Sequence, residues 1–118
     1  MFGYSSAYYE ESMTLIIKER PTGAIIASGD ENRTVREFEG NWYFAPETVN
    51  MDHLTITTRT YNCPYKGTCY WIDLETPDGF RAQNIAWVYQ QPKPGYEFIQ
   101  NQIGFYARST AGTVPERG

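Results

Sequence analysis

The sequence predicts a mainly β single domain that contains one or two short helices. The chain has 118 residues, which is the usual size of one domain. Aromatic residues make up 16% of it, and their side chains pack well on the pleated, half-buried surface of a sheet. Short segments that alternate between apolar and polar residues also recur between turn residues, which is the pattern of an antiparallel β protein.

Three pairs of these segments are predicted to form hairpins. The first pair is TLIIKER and AIIAS, the second lies within TVREFEGNWYF, and the third is TCYWIDLE and FRAQNIAWVY. Each pair is joined by residues that favour a tight turn. The turns are PTG at 21–23, GN at 40–41 and PDG at 77–79. The segment TITTRTY is rich in β-branched residues and is predicted to be a further strand.

Two segments are predicted to be helical. APETVNMDHL can hold one helical turn, because Pro46 is tolerated at a first helical position and Glu47 then lies near the positive end of the dipole. A second short helix is predicted from Tyr96 to Gln102, where the apolar residues have approximately helical spacing. The rest of the chain is predicted to be strands and turns.

The chain is expected to consist of one folded body between two flexible tails. Residues 1–13 show no regular period of apolar residues, and the end RSTAGTVPERG is small and polar. Chain ends of this kind are commonly frayed. The predicted units are therefore a flexible tail at 1–13, a single β domain at 14–108 and a second flexible tail at 109–118.

The composition argues against several classes of function. The net charge is -4 and the pI is about 4.9, whereas a protein that neutralises nucleic-acid phosphates needs a positive surface. No stretch approaches the roughly 18 apolar residues of a membrane helix, and the N-terminus lacks the pattern of a signal peptide. We therefore expect a cytoplasmic protein that binds neither nucleic acid nor membranes, with Cys63 and Cys69 as free thiols.

The turn NCPYKGT combines several reactive residue types. Pro64 and Gly67 allow the chain to reverse, which brings Cys63 and Lys66 close together. An ammonium group beside a thiol stabilises the thiolate, so Cys63 is a candidate nucleophile and Lys66 its activator. The alternative is a structural corner, in which Cys63 is buried as a small hydrophobic residue and Lys66 points to water.

A second candidate site lies in the segment NIAWVYQQPKPGY. Trp87 and Tyr89 lie on the same face of a predicted strand, and Pro92 ends that strand. Rings with polar tips beside a rigid loop are typical of ligand pockets. The alternative is packing between sheets, because much of this core must be aromatic.

The patterns for other catalytic and metal sites are weaker. Asp73 and Glu75 project from one face of a predicted strand about 7 Å apart, near Asp78, and such a pair can flank Mg²⁺. The alternative is ordinary alternation along the strand, in which Trp71 and the two carboxylates face solvent. His53, the only histidine, is a candidate catalytic partner for the cysteine. No zinc pattern or phosphate-binding glycine loop is present, so no metal ligands are assigned and no cofactor is identified.

The blocks CPYKGT at 63–68, AWVYQQP at 86–92 and EGNWYFAPETV at 39–49 also carry a family resemblance. They resemble the recurring blocks of a bacterial family of domains of unknown function that is loosely labelled nucleotidyltransferase-like. The resemblance runs over about residues 23–106 and implies a compact folded-sheet, β-tent-like architecture. Cys69 departs from the family pattern, which has a small residue there. The Asp-x-Asp pair of nucleotidyltransferases is echoed only by Asp73 and Glu75, so that activity is not carried over.

We expect the domain to bind a small or peptide-like ligand in an aromatic pocket between the CPYKG turn and the AWVYQQP segment. Lys66 would meet an anionic group of the ligand. The residues predicted to form the pocket are Tyr43, Tyr65, Lys66, Trp87, Tyr89 and Pro92. One alternative is an enzyme, with either Cys63 as nucleophile or a Mg-dependent nucleotidyltransferase-like activity. A further alternative is a protein-interaction module.

Overall fold

The computed structural model describes residues 13–118, and this range contains nine strands in two antiparallel sheets and two short 3₁₀ turns. The strands are β1 (Thr14–Glu19), β2 (Ile25–Asp30), β3 (Val35–Phe38), β4 (Asn41–Phe44), β5 (Leu54–Cys63), β6 (Gly67–Glu75), β7 (Arg81–Val88), β8 (Ile103–Tyr106) and β9 (Thr113–Arg117). The 3₁₀ turns are Pro46–Thr48 and Glu97–Ile99. The predicted class, a mainly β antiparallel single domain with short helices, is confirmed.

The three predicted hairpins are present. β1 pairs with β2, β3 with β4 and β6 with β7, and each pair is antiparallel. The turn between β3 and β4 is Glu39–Gly40, one residue earlier than the predicted Gly40–Asn41, and the two residues have φ 54° and 79°. Positive φ at both central residues is the signature of the type I′ turn, whose twist matches that of the flanking strands. Local turn chemistry is therefore sufficient to determine these pairings.

The prediction of a flexible tail at 109–118 is wrong, because Thr113–Arg117 form β9. This strand pairs with β1, which places β1 at the centre of a three-stranded sheet of order β2-β1-β9. Thr113 is fully buried, and Pro115 lies on an edge strand, where proline is tolerated. The small polar residues resemble a frayed end when the sequence is considered alone, but their backbone pairs with β1. The predicted tail at 1–13 lies, apart from Met13, outside the described residues.

The large sheet has the order β3-β4-β8-β7-β6-β5. β8 lies between β4 and β7 and pairs with both of them. It therefore joins the β3–β4 hairpin to the β5–β6–β7 meander, and it comes from a part of the chain that follows both of them. Among the strands of residues 13–118, β5 pairs only with β6, which places it at one edge of the sheet.

The two faces of the large sheet carry two separate hydrophobic clusters. On one face, apolar side chains pack against β1 and β2 of the small sheet, and Phe44, Phe105 and Ile72 are fully buried there. Alternate residues of the same strands point to the other face, where Tyr43 and Trp87 belong to a second, ring-rich cluster. Because side chains alternate along a strand, the strands of the large sheet contribute to both clusters.

Both predicted helical segments form 3₁₀ turns. Pro46 occupies the first turn of Pro46–Thr48, as predicted. The second helix is shorter than the predicted 96–102 and covers only Glu97–Ile99, because Gln100 forms a bridge to Tyr89 and Asn101 has φ 62°. Within residues 13–118, no helix is long and apolar enough to cross a membrane.

Candidate functional site

The ring-rich face of the large sheet contains a hollow of about 180 Å³, which we call the aromatic hollow. Six aromatic side chains, one thiol and three polar side chains line it. These residues are Glu39, Asn41, Tyr43, Tyr61, Lys66, Cys69, Trp71, Trp87, Tyr89 and Tyr106. The hollow therefore brings Lys66 of the CPYKG turn to the same opening as Trp87 and Tyr89, which are separated from it along the chain.

A row of paired residues across four strands forms the floor of the hollow. Tyr43 on β4 pairs with Gly104 on β8, Gly104 pairs with Trp87 on β7, and Trp87 pairs with Trp71 on β6. Gly104 has no side chain, so the Trp87 indole lies across it. A Cβ atom at Gly104 would be 2.4 Å from the indole Nε1. The missing side chain at this position thus allows the indole to reach Tyr43.

The rings of the hollow hold one another in edge-on contacts. Trp87 is at the centre, with ring centroids 6.0 Å from Tyr43, 6.1 Å from Trp71 and 4.9 Å from Tyr106. The interplanar angles are 82°, 79° and 67°, which are the edge-to-face arrangements that aromatic pairs prefer. The indole edge and the neighbouring rings therefore form stiff walls around the hollow.

The Lys66 ammonium lies at the mouth of the hollow. Its side chain is only 13% exposed, it donates to the carboxylate of Glu39, and its Nζ lies 5.9 Å from the centroid of the Tyr89 ring. Burial by itself lowers the pKa of Lys66, but the hydrogen bond and the negative charge of Glu39 outweigh it and raise the pKa. The hollow therefore contains a fixed positive charge at neutral pH.

Tyr43 places a phenol hydroxyl inside the hollow. The Trp87 Nε1–H donates to the Tyr43 hydroxyl oxygen at 3.0 Å. Indole nitrogen is a donor only, so this bond leaves the phenol proton of Tyr43 free to be donated elsewhere. Burial raises the pKa of Tyr43, which keeps that proton in place at neutral pH. Burial also raises the pKa of Tyr89.

The two cysteines occupy different environments near the hollow, and both are free thiols. Cys69 lines the hollow, whereas Cys63 lies in the turn outside it, where its Sγ accepts the backbone N–H of Lys66 at 3.4 Å. Cys63 pairs with Gly67 and Cys69 pairs with Tyr61, so the cysteines are diagonal neighbours across the hairpin. Diagonal neighbours lie about 7–8 Å apart, beyond the usual Cα separation of a disulfide.

We expect Cys63 to be alkylated at a lower pH than Cys69. The backbone N–H of Lys66 favours the Cys63 thiolate and lowers its pKa, whereas burial raises the pKa of Cys69. Alkylation by iodoacetamide, followed by peptide mass spectrometry over a series of pH values, measures both thiols in one sample. The Cys69→Ser variant isolates Cys63 as the control. Equal midpoints, or a lower midpoint for Cys69, would contradict this prediction.

Two of the residues predicted to form the pocket do not line the hollow. Tyr65 is 72% exposed at the tip of the hairpin, and Pro92 lies in the loop beside it. This loop supports the turn, because Lys93 donates its backbone N–H to the Lys66 carbonyl oxygen and its Nζ to the Pro64 carbonyl oxygen, both at 2.9 Å. The AWVYQQP segment thus supplies Trp87 and Tyr89 to the hollow, and the residue that follows it, Lys93, holds the CPYKG turn in place.

The predicted Mg²⁺ carboxylates are engaged in contacts on the sheet. Asp73 accepts hydrogen bonds from the Arg59 guanidinium and from the backbone N–H of Asn84. Glu75 forms an ion pair with Arg81 at 3.2 Å. Within residues 13–118, no group of three or more His, Cys, Asp or Glu side chains could hold a metal ion. The strand alternates as expected, except that Trp71 lines the hollow instead of facing solvent.

His53 and Asp78 also lie away from the hollow. The His53 Nδ1 contacts the carboxylate of Glu19, which is buried and also accepts a hydrogen bond from the Thr22 hydroxyl. This contact joins the end of β1 to the residue before β5. Asp78 accepts a hydrogen bond from the Thr76 hydroxyl within its turn, and this bond lowers the pKa of Asp78. The structure does not bring His53 and Cys63 to a common site.

Sequence reasoning missed more than half of the residues that line the hollow. These are Glu39, Asn41, Tyr61, Cys69, Trp71 and Tyr106. The sequence does show that Cys69 and Trp71 lie on one face of the predicted strand TCYWIDLE, because they are two residues apart. No local signal shows which face of a sheet carries a hollow, and Tyr106 reaches it only because β8 pairs with both β4 and β7.

The fold and the site together define a small antiparallel β domain with an aromatic hollow in one face of its large sheet. A family model described as a domain of unknown function (DUF427) matches residues 11–116. The chain belongs to this family, and the match includes every residue of the hollow. This finding confirms the resemblance to a family of domains of unknown function. A search of curated proteins found no match.

Proposed function

We propose that the aromatic hollow binds a small ligand that carries one ring and an anionic group. The ring packs among Trp71, Trp87 and Tyr106, and the anionic group meets Lys66. The observation that carries this proposal is the convergence of a fixed ammonium and several rings on one opening. Pockets for small molecules are typically apolar and aromatic, with a few polar groups that orient the ligand.

The volume of the hollow supports a ligand of single-ring size. The hollow measures about 180 Å³. An engineered protein cavity of about 150 Å³ binds benzene, whereas pockets for drug-sized molecules measure roughly 300–1,000 Å³. A free metabolite with one ring fits this volume, and so does one side chain of a peptide.

The charges at the hollow favour an anion over a cation. An aromatic cage with a carboxylate can bind an ammonium ligand, and Glu39 supplies such a carboxylate. Here, however, Lys66 already contacts that carboxylate and lies near the Tyr89 ring, in the place that a ligand cation would take. The Arg108 guanidinium carbon lies 4.8 Å from the centroid of the Tyr106 ring and adds a second positive charge beside the hollow.

Indole NMR signals give a direct test, because the chain has only three Trp residues. We expect benzoate to shift the Nε1–H signals of Trp71 and Trp87 in a saturable way. The signal of Trp42 should stay constant, because Trp42 lies in the cluster on the opposite face of the sheet. Benzyl alcohol and benzylammonium, titrated in parallel, measure the contribution of charge.

The variant Lys66→Met is expected to weaken benzoate binding about tenfold or more, because a charge-assisted contact typically contributes about 1.5–3 kcal/mol. Lys18→Met removes the same charge on the small sheet and is the matched control. If none of the three ring compounds moves the Trp71 and Trp87 signals at millimolar concentration, the hollow is not a ligand site and the proposal fails.

An enzyme with Cys63 as nucleophile is the second candidate function. The hydrogen bond from the Lys66 backbone to the sulfur, which lowers the Cys63 pKa, favours it. The Cys63 side chain is only 6% exposed, so a substrate would need the hairpin tip to open. The alkylation experiment described above tests both the pKa and the access of this thiol.

A further inference from the structure

We infer that the Glu39 carboxylate occupies the anion position of the aromatic hollow, and that the ligand is a planar aromatic carboxylate whose own carboxylate displaces it. This inference rests on the proposed function, because it requires that the hollow binds a ring. It adds three points: the anion is a carboxylate, the Tyr43 hydroxyl is a second hydrogen-bond donor for it, and the Glu39 carboxylate competes with it.

The ion pair between Glu39 and Lys66 is asymmetric. The Lys66 side chain is 13% exposed and is held by the turn, whereas the Glu39 side chain is 51% exposed and projects from the β3–β4 turn. A half-exposed carboxylate can rotate into water, and exposed ion pairs typically contribute about 0.2–1 kcal/mol. The carboxylate therefore leaves at low cost, while the ammonium stays at the mouth of the hollow.

The Tyr43 hydroxyl is the second donor at the anion position. Its side chain is 2% exposed, it lines the hollow, and its oxygen accepts the Trp87 Nε1–H. Among the described residues, no acceptor receives the phenol proton. Lys66 lines the same hollow, and its positive charge acts on this hydroxyl. A ligand carboxylate at the mouth of the hollow therefore has both an ammonium and a buried phenol as donors.

Charge and rigidity both favour an aromatic carboxylate as the ligand. A ligand carboxylate that replaces the Glu39 carboxylate leaves the charge around Lys66 unchanged, whereas a doubly charged phosphate would need further donors. The carboxylate of an aromatic acid is also conjugated with its ring, so the ligand is flat and rigid. A rigid ligand loses little conformational freedom on binding.

The variant Glu39→Gln tests the displacement, because it keeps the size of the side chain and removes its negative charge. Benzoate and its neutral amide, benzamide, are titrated against both proteins, with the Trp71 and Trp87 indole signals as the readout. We expect Glu39→Gln to tighten benzoate binding about two- to fivefold, since the competing ion pair is weakened. Benzamide binding should stay constant.

Glu37→Gln is the matched control, because Glu37 belongs to the same hairpin and its carboxylate faces Arg117, away from the hollow. This variant should leave benzoate affinity unchanged. Tyr43→Phe removes the second donor and should weaken benzoate more than benzamide. Because Tyr43→Phe also deprives Trp87 of its acceptor, Glu39→Gln on the exposed turn remains the decisive variant.

Three results would overturn the inference. Benzoate affinity could stay the same or fall in Glu39→Gln, benzamide could tighten as much as benzoate, or benzamide could bind the original protein as tightly as benzoate. In the first two cases benzoate would still bind as a ring with an anionic group, so the proposed function would survive. In the third case the hollow would still bind a ring, but the anionic group of the proposed function would be contradicted as well. If no ring compound shifts those signals, the proposed function fails first.

Discussion

Replacement of Gly104 by alanine is expected to lower the free energy of unfolding by about 3 kcal/mol and to distort the aromatic hollow. The added Cβ would lie 2.4 Å from Nε1 and 2.5 Å from Cε2 of Trp87. Extra atoms in a packed site typically cost about 1–3 kcal/mol. We expect the upper end of that range, because Tyr43, Trp71 and Tyr106 surround the indole and prevent it from moving freely.

Urea denaturation measures the stability change, and the Trp87 indole signal reports whether its hydrogen bond to Tyr43 persists. Gly118→Ala is the control, because the nearest atom to an added Cβ there is the Thr14 carbonyl oxygen at 3.8 Å. The prediction is contradicted if Gly104→Ala is as stable as the control, or if the Trp87 signal is unchanged. Either result would mean that the paired residues Tyr43, Gly104 and Trp87 shift easily to make room for the added Cβ.

The variant Phe105→Ala is expected to lower the free energy of unfolding by about 4 kcal/mol. Phe105 is fully buried between the two sheets, and its ring meets Phe44 edge-on, with centroids 5.6 Å apart and an interplanar angle of 88°. Truncation of a buried Phe to Ala typically costs about 3–5 kcal/mol, from lost burial and from the cavity left behind. The measurement is again urea denaturation.

Tyr65→Ala is the control for Phe105→Ala, because it removes a ring of a residue that is 72% exposed. We expect its free energy of unfolding to change by no more than about 0.5 kcal/mol. A double-mutant cycle with Phe44→Ala should give a coupling of about 0.5–1.5 kcal/mol for the edge-on pair. A loss of less than about 2 kcal/mol in Phe105→Ala would show that the packing between the sheets is loose.

These two variants separate the roles of the two faces of the large sheet. Gly104 and Phe105 are adjacent in β8, but they point to opposite faces, one toward the hollow and the other toward the small sheet. Phe105→Ala should therefore weaken the fold while the folded protein keeps its hollow. Gly104→Ala should change the hollow directly. The hollow and the core between the sheets therefore share the backbone of the large sheet, but different side chains form them.

The β class and three hairpins follow from local patterns in the sequence. Alternation of apolar residues and the turn residues at 21–23, 40–41 and 77–79 are local signals, and local pairing follows from them. The chemical character of Lys66, Trp87 and Tyr89 and the rigid segments around them also predicted one shared pocket, and ligand binding by that pocket stays a prediction. The structure places all three on the hollow.

The way in which distant segments combine depends on the folded domain as a whole. Residues 113–117 form a strand because they pair with β1, and the missing side chain of Gly104 matters because β8 pairs with β7 and places it beside Trp87. Tyr65 is adjacent in sequence to Lys66, which lines the hollow, but the Tyr65 side chain is exposed to water. Pairing between strands far apart in the chain sets which residues meet, and it depends on the packing of the whole domain. For that reason the hollow is not visible in any one segment.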